Sequence, residues 1–286
     1  MSAIKLIECP RDAMQGLKEF IPTRDKVNYL NQLLTCGFDT LDFGSFVSPK
    51  AIPQMRDTAE VLEQLTDAHS TKLLAIVANL RGSEEACTHD RIDYLGFPFS
   101  VSEEFQQRNT NSSIEQSLNV VEQIKGLTEA TGKKMVVYIS MGFGNPYGEK
   151  WNAELVHYWC DRLYSEIGVE IIALSDTIGA ATPTIVSDLF QTLIPALPDV
   201  EFGAHLHTRP ENAKELLDAA WGAGCRRFDG AIGGIGGCPM AKDDLTGNMP
   251  TEIIQAWLTD KKIPSPIQND NFEQAQLVAR RIMPIH

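Results

Sequence analysis

The greatest capacity for chemistry lies in "FGAHLHTR", residues 202–209, where His205 and His207 are separated by a single leucine. Side chains alternate between the two faces of a strand. Phe202, Ala204 and Leu206 then share one face, and Gly203, His205 and His207 share the other. The second face carries two imidazoles about 7 Å apart along the strand, close enough to converge on one cation. A pair of hydrogen-bonded histidines at a strand end is the plainer alternative. Other ligating or titratable side chains also follow short apolar runs. They are Arg11 and Asp12 in "CPRD", Asp42 in "DTLDFG", Asn79 and Arg81 in "ANLRG", Asp176 in "LSDTIG", and Cys238 with Asn248 in "GGIGGCPMAKDDLTGN". A carboxylate, two imidazoles and a carboxamide oxygen make a hard-to-borderline donor set. It suits an octahedral divalent cation, Mg²⁺ or Mn²⁺, with positions left for substrate oxygens. With no thiolate among these donors, a structural zinc fits less well.

The remaining candidates admit two readings each. Cys238 sits in a glycine-rich loop beside a proline, where a thiol could swing over a bound substrate as a proton donor or base. Its ordinary reading is a small, inert, buried hydrophobe. Asp176 could orient a catalytic group or cap the following helix. Asp42 could support the site from behind or pair with a neighbouring cation at the rim. His69, His89 and His157 stand alone as surface or helix residues, and His286 is terminal.

These residues need elements to position them. Eight β-rich runs are legible, at 4–9, 39–44, 72–79, 91–99, 133–140, 170–176, 201–207 and 226–232. Helix-like stretches lie between them. Thr23 is a candidate cap for the first, with Gly37 as its stop, and a serine cap precedes "IEQSLNVV" in a stretch that runs to Gly132. Only a short helix fits "RGSEEACTHD" between the third and fourth runs. Strands alternating with helices argue for parallel pairing through right-handed crossovers. The expected class is α/β, a single (β/α)8 TIM barrel spanning 1–286, with a C-terminal helical cover from about 250. A doubly wound sheet is the rival, but no GxGxxG follows the first run. In such a barrel the site lies at the C-terminal ends of the strands, where the polar residues above collect at one rim.

Composition narrows the function. The chain has 286 residues, 43% hydrophobic and 22% charged, which is globular and long enough for a large core. A net charge of −13 with no basic stripe argues against nucleic acid as a partner. The six cysteines are scattered without a CxxC pair, and "MSAIKLIECPRD" does not read as a secretory leader or transit peptide. A cytoplasmic setting with reduced thiols is expected. No apolar run approaches the roughly 20 residues of a membrane span.

Six runs carry a family resemblance: "PRDAMQ" (10–15), "SFVSPKAIPQM" (45–55), "NLRG" (79–82), "SDTIG" (175–179), "HLH" (205–207) and "GIGGCP…GN" (234–248). With these the chain resembles the 3-hydroxy-3-methylglutaryl-CoA lyases, within the metal-dependent TIM-barrel lyases and Claisen-type synthases. The resemblance implies metal ligation by Asp12, His205, His207 and Asn248. It implies charge stabilisation by Arg11, orienting or proton-relay roles for Asp42 and Asp176, and a mobile-loop acid/base in Cys238. Gln15 and Ser45, in the matching runs, are the implied substrate-binding residues. The implied partner is an acyl-CoA thioester, and the implied assembly a homodimer or larger homo-oligomer. Departures from the family pattern are a first-strand run one residue shorter before Pro10, Ala13 for Gly, Asp42 for Glu, Thr208 for Asp, and Met141 and Asn145 for two cysteines. A lyase acting on a related 3-hydroxyacyl-CoA or 2-oxo acid, or a Claisen-type synthase, is therefore a second reading. A non-catalytic acyl-CoA-binding homologue is a third.

Overall fold

The structure is a computed structural model that describes residues 4–67, 70–237 and 246–284. Its eight strands are β1 (Lys5–Glu8), β2 (Thr40–Ser45), β3 (Lys72–Ile76), β4 (Tyr94–Ser100), β5 (Lys134–Ser140), β6 (Ile171–Asp176), β7 (Glu201–Leu206) and β8 (Arg227–Gly230). Each pairs in parallel with the next, and β8 pairs with β1 to close the barrel. The fold is a (β/α)8 TIM barrel. All eight strand runs fall where the sequence places them, with ends shifted by up to three residues.

Alternation along the strands divides inside from outside. On β7, Phe202, Ala204 and Leu206 join the large core between barrel and helices. Gly203 and His205 face the other way, into the barrel. A methyl group on Gly203 would come 2.9 Å from Arg227 Cδ, so the absence of a side chain there is what lets a buried arginine cross the interior. The outward face of β1 holds an exception, Glu8. It is wholly buried and accepts hydrogen bonds from Ile232 N (2.8 Å) and Thr251 Oγ1 (2.6 Å). Burial pushes its carboxyl up to about 8, against the opposing pull of those two donors.

Helix signals were read correctly in some places and not in others. Ser113 caps α6 (Ile114–Ala130) in a reciprocal capping box with Gln116, and α4 (Leu80–Cys87) is short, capped by Asn79. Thr23 does not cap α2 (Thr23–Leu34). It is the first helical residue, and its hydroxyl bonds Asp57 instead (2.8 Å). One helix, α5 (Glu103–Thr110), was not anticipated. Ser102 caps it by accepting from Phe105 N, a signal present in "SEEF" but hidden between two longer elements. The C-terminal cover consists of α10 (Thr251–Lys261) and α11 (Asn269–Ile282); Phe272 packs edge-on against Phe38, and Asn271 bonds Thr35 O. No helix among the described residues is long and apolar enough to cross a membrane.

Candidate active site

The first strand does not run into a loop. After Glu8 a single residue, Cys9, makes the turn, and Pro10 opens a short helix, α1 (Pro10–Gln15). Proline at the first helical turn costs no hydrogen bond, because that N–H has no intrahelical partner. The helix is only six residues long, but it fixes Arg11, Asp12 and Gln15 on one wall of the barrel mouth. Arg11 Nη1 donates to Asp12 Oδ1 (2.9 Å) and Gln15 Oε1 (2.9 Å), and Gln15 Nε2 donates to Asp12 Oδ1 (2.5 Å). Asp42 grips the guanidinium from below, accepting from Nε (3.0 Å to Oδ2) and Nη2 (2.5 Å to Oδ2). Asp42 combines its two readings: it pairs with a neighbouring cation, Arg11, but from behind the site and buried, not at the rim. Its carboxyl is pushed up to about 6 by burial, which Arg11 only partly offsets.

His207 follows β7 and forms a single antiparallel bridge with Asn248. Its Nε2 stands 3.7 Å from Asp12 Oδ2, and the two imidazole centroids are 5.3 Å apart. The spacing along the strand is thus narrowed by ring orientation. Ligand atoms of Asp12, His205 and His207 lie within 4.8 Å of one another, and all three residues are buried. Neither ring nitrogen of His207 makes a hydrogen bond of good geometry among the described residues, although the Thr246 backbone lies close enough to act on the ring. A buried polar atom without a partner is costly, and a cation at this point would remove that cost. Burial, helped by His205 and opposed by Asp12, lowers His207 to about 4, so its imidazole is neutral and able to ligate. Burial alone would raise Asp12; Arg11 and the two imidazoles outweigh it and hold the carboxyl at about 2. Asn248 is beside them, its amide nitrogen donating to Asp12 Oδ2 (2.7 Å) and Ile235 O (2.8 Å). Ligation would use its carbonyl oxygen. The residues fit a hard divalent cation.

Above this cluster opens a cleft of about 440 Å³, within the range of small-molecule sites. Arg11, Asp12, Gln15, Ser45, His205 and His207 line it. Its far wall is α5, through Phe105, Arg108 and Asn109. Asp42 and Asp176 are not in the lining. Asp176 accepts backbone N–H bonds from Ile178 (3.3 Å), Ala180 (2.9 Å) and Ala181 (2.7 Å). It therefore organises the loop after β6, while Thr182 caps the next helix, α8 (Pro183–Ala196). Arg81 is exposed, whereas Asn79 both caps α4 and lines the cleft. Cys238, His69 and His286 lie outside the described residues. The chain on both sides of 238–245 is anchored at the rim: Thr208 N bonds Gly247 O (2.9 Å), and a methyl on Gly236 would meet Asp12 O at 2.9 Å.

A family model described as HMGL-like matches residues 4–278. The chain belongs to the HMGL-like family. Hydroxymethylglutaryl-CoA lyase YngG of Bacillus subtilis is 32% identical over 266 residues, covering 93% of this chain and 88% of that protein. A 3-hydroxy-3-isohexenylglutaryl-CoA/hydroxy-methylglutaryl-CoA lyase of Pseudomonas aeruginosa is 33% identical over 264 residues, with 91% and 86% covered. The crystal structure of an HMG-CoA lyase from Brucella melitensis superimposes with a TM-score of 0.92 at 28% identity, covering 99% of this chain and all of that one.

Departures from the family runs have local explanations. The shortened approach to Pro10 makes Cys9 the turn residue and buries its thiol. Asn145 replaces a family cysteine and braces the loop after β5, accepting from Tyr147 N (3.0 Å) and Glu149 N (3.2 Å). One participant escaped the sequence reading altogether. Asp229 on β8 bonds His205 Nδ1 at 3.1 Å. Alternation in "RRFDGAI" puts Arg227 and Asp229 on one strand face, and two charges on the face of a barrel strand were the available signal.

Proposed function

We propose that the chain is a divalent-metal-dependent carbon–carbon lyase that cleaves 3-hydroxy-3-methylglutaryl-CoA to acetyl-CoA and acetoacetate. The observation that carries this reading is the convergence of Asp12, His205 and His207 on one point of the cleft wall, with the Arg11 guanidinium held beside it. The named activities of the HMGL-like relatives support the substrate.

A Mg²⁺ or Mn²⁺ ion held by Asp12, His205 and His207, with the Asn248 oxygen, would polarise the tertiary hydroxyl and a carboxylate oxygen of the substrate, easing loss of the hydroxyl proton. As that proton passes to water in the cleft, from which the acid that protonates C2 is restored, the C3 oxygen becomes a ketone carbonyl and the C2–C3 bond breaks. The bonding pair moves onto C2 as the enolate of the acetyl thioester. Arg11 is placed to meet that charge. Four of its five N–H groups are spent on Asp42, Asp12 and Gln15, which fixes the guanidinium and leaves one Nη2–H for the thioester oxygen. Gln15 and Ser45 border the substrate, and Asp42 and Asp176 act through the groups that they hold. The Cys238 thiol returns a proton to C2 and completes acetyl-CoA. Purified protein with Mg²⁺ or Mn²⁺ should release acetyl-CoA and acetoacetate in equal amounts from HMG-CoA, and Cys238→Ala should lose turnover while retaining metal. Retention of metal by the wild type with HMG-CoA left intact would overturn the substrate.

A second reading is a lyase for a related 3-hydroxyacyl-CoA with a larger C3 substituent. The apolar walls of the cleft, Val47, Ala51, Ile52, Pro98 and Phe105, favour it, as does the double substrate named for the Pseudomonas relative. Parallel assays with longer-chain 3-hydroxyglutaryl-CoA esters decide between the two. The protein is further proposed to act in the cytoplasm as a homodimer or larger homo-oligomer. The scattered cysteines without a CxxC pair are the sequence feature behind the reducing compartment.

A further inference from the structure

We infer that Asp229 is a positioning residue for the metal centre: its carboxylate takes the Nδ1–H of His205 and leaves Nε2 as the nitrogen free to ligate. This inference rests on the metal reading given above and concerns a residue outside the ligand set.

The geometry is specific. Asp229 Oδ2 lies 3.1 Å from His205 Nδ1, and both side chains are buried, with 1% and 10% of their surface exposed. An imidazole has two nitrogens and two tautomers, and the bond made by one nitrogen decides what the other presents. Metal-bound histidines are commonly fixed in this way by a carboxylate behind the ring, which sets its orientation and raises its basicity. Arg227 lies two residues earlier on the same inward face, 1% exposed, and Asp229 is the largest of the charges acting on its guanidinium. Its Nε and Nη2 have no hydrogen-bond partner among the described residues. Arg227, Asp229 and His205 thus form a column along the barrel, with the guanidinium below the carboxylate and the carboxylate behind the ring.

The same column contains a competitor. Ligand atoms of Cys9, His205 and Asp229 also lie within 4.8 Å of one another. A metal seated there would include a thiolate, a softer ligand than the carboxylate, imidazole and carboxamide donors of the mouth and suited to other metals. The Asp229–His205 bond occupies His205 Nδ1 and directs the cation to the mouth, where substrate can reach it.

Mn²⁺ binding to metal-free protein, followed by electron paramagnetic resonance, tests this. Asp229→Asn should remain folded by circular dichroism and bind Mn²⁺ roughly 10- to 100-fold more weakly. Long-range ¹H–¹⁵N spectra of metal-free wild type at alkaline pH should show His205 as the Nδ1–H tautomer, a signature independent of any variant's folding. Folded Asp229→Asn with wild-type Mn²⁺ affinity would overturn the inference, as would an Nε2–H tautomer in the wild type. With Co²⁺ as the probe, a thiolate charge-transfer band abolished by Cys9→Ser would place the metal in the lower trio and overturn it too. A wild type that binds no Mn²⁺ would sink the metal reading itself, whereas equal binding by wild type and Asp229→Asn sinks only the role of Asp229.

Discussion

On the β3–β6 side of the barrel the interior is filled by Leu74, Ile76, Tyr94, Val136, Tyr138, Ile171 and Ala173. On the β7–β2 side the corresponding space holds His205, Arg227, Asp229, Cys9, Arg11 and Asp42, all buried. One half is largely apolar and the other holds most of the buried charge, much of it paired. The first half makes the second effective. By filling its share of the interior with apolar atoms it lowers the local dielectric, and charges facing it act on one another far more strongly than they would in water. The cost is that every charged group must have a partner, and here Arg11 has Asp42 and Asp12 while His205 has Asp229.

The largest expected effect comes from breaking the charged half. Arg11→Gln should reduce turnover roughly 10²–10³-fold by removing an electrostatic donor. It should also destabilise the fold by about 3–5 kcal/mol, because Asp42 is left buried and unpaired. Adding Asp42→Asn should recover stability in urea melts while activity stays low; recovery of both would place catalysis elsewhere. Ile171→Ala, in the apolar half and away from the cleft, should cost about 2–5 kcal/mol of stability and leave Mn²⁺ affinity unchanged. A loss of affinity would mean that the two halves are mechanically coupled.

Glu8, behind the charged half, sharpens the comparison through pH. Its folded pKa of about 8 lies above its ordinary 4.5, so between those values the folded protein binds more protons than the unfolded chain. The stability it contributes is full below about 4.5 and is lost as pH rises through 8, at up to about 1.4 kcal/mol per pH unit. Denaturant midpoints at pH 6 and 7.5 should show this decline, and Glu8→Gln, which keeps an acceptor for Ile232 N and a donor for Thr251, should flatten it. An equal slope in the variant would assign the decline to other groups. The smallest effect is expected at Asn79, a polar residue at the rim of the apolar half. If it only caps α4, Asn79→Ala should cost about 1 kcal/mol and leave kcat within a few-fold. A large fall in kcat would show that the apolar half contributes chemistry as well as shape.

The contrast between the halves also marks what could be read in advance. Apolar runs such as "KMVVYIS" and "IIALSD" announce strands because a barrel strand is buried on both faces, and the candidate ligating residues fall at the C-terminal ends of such runs. The helix that carries Arg11 and Asp12 gives no sequence signal, because six residues show no periodicity, and the cap that marks α5 is masked by the longer runs on either side. Asp42 was open between two roles until Arg11 was seen to lie against it. Asp229 and Glu8 gave no signal by type alone: a carboxylate in a strand reads the same whether it meets water, a histidine or a threonine.

By itself the sequence determined the eight-unit barrel, the rim at which chemistry collects and the donor types for a cation. These follow from period, punctuation and residue chemistry, which are local properties. The tertiary structure decided which charges pair, which nitrogen of His205 is taken, and how far burial moves Glu8, Asp42 and Asp12. Those depend on distances between residues as far apart in the chain as Asp12 and Asn248 and on the medium around them, and both come into existence only when the barrel closes.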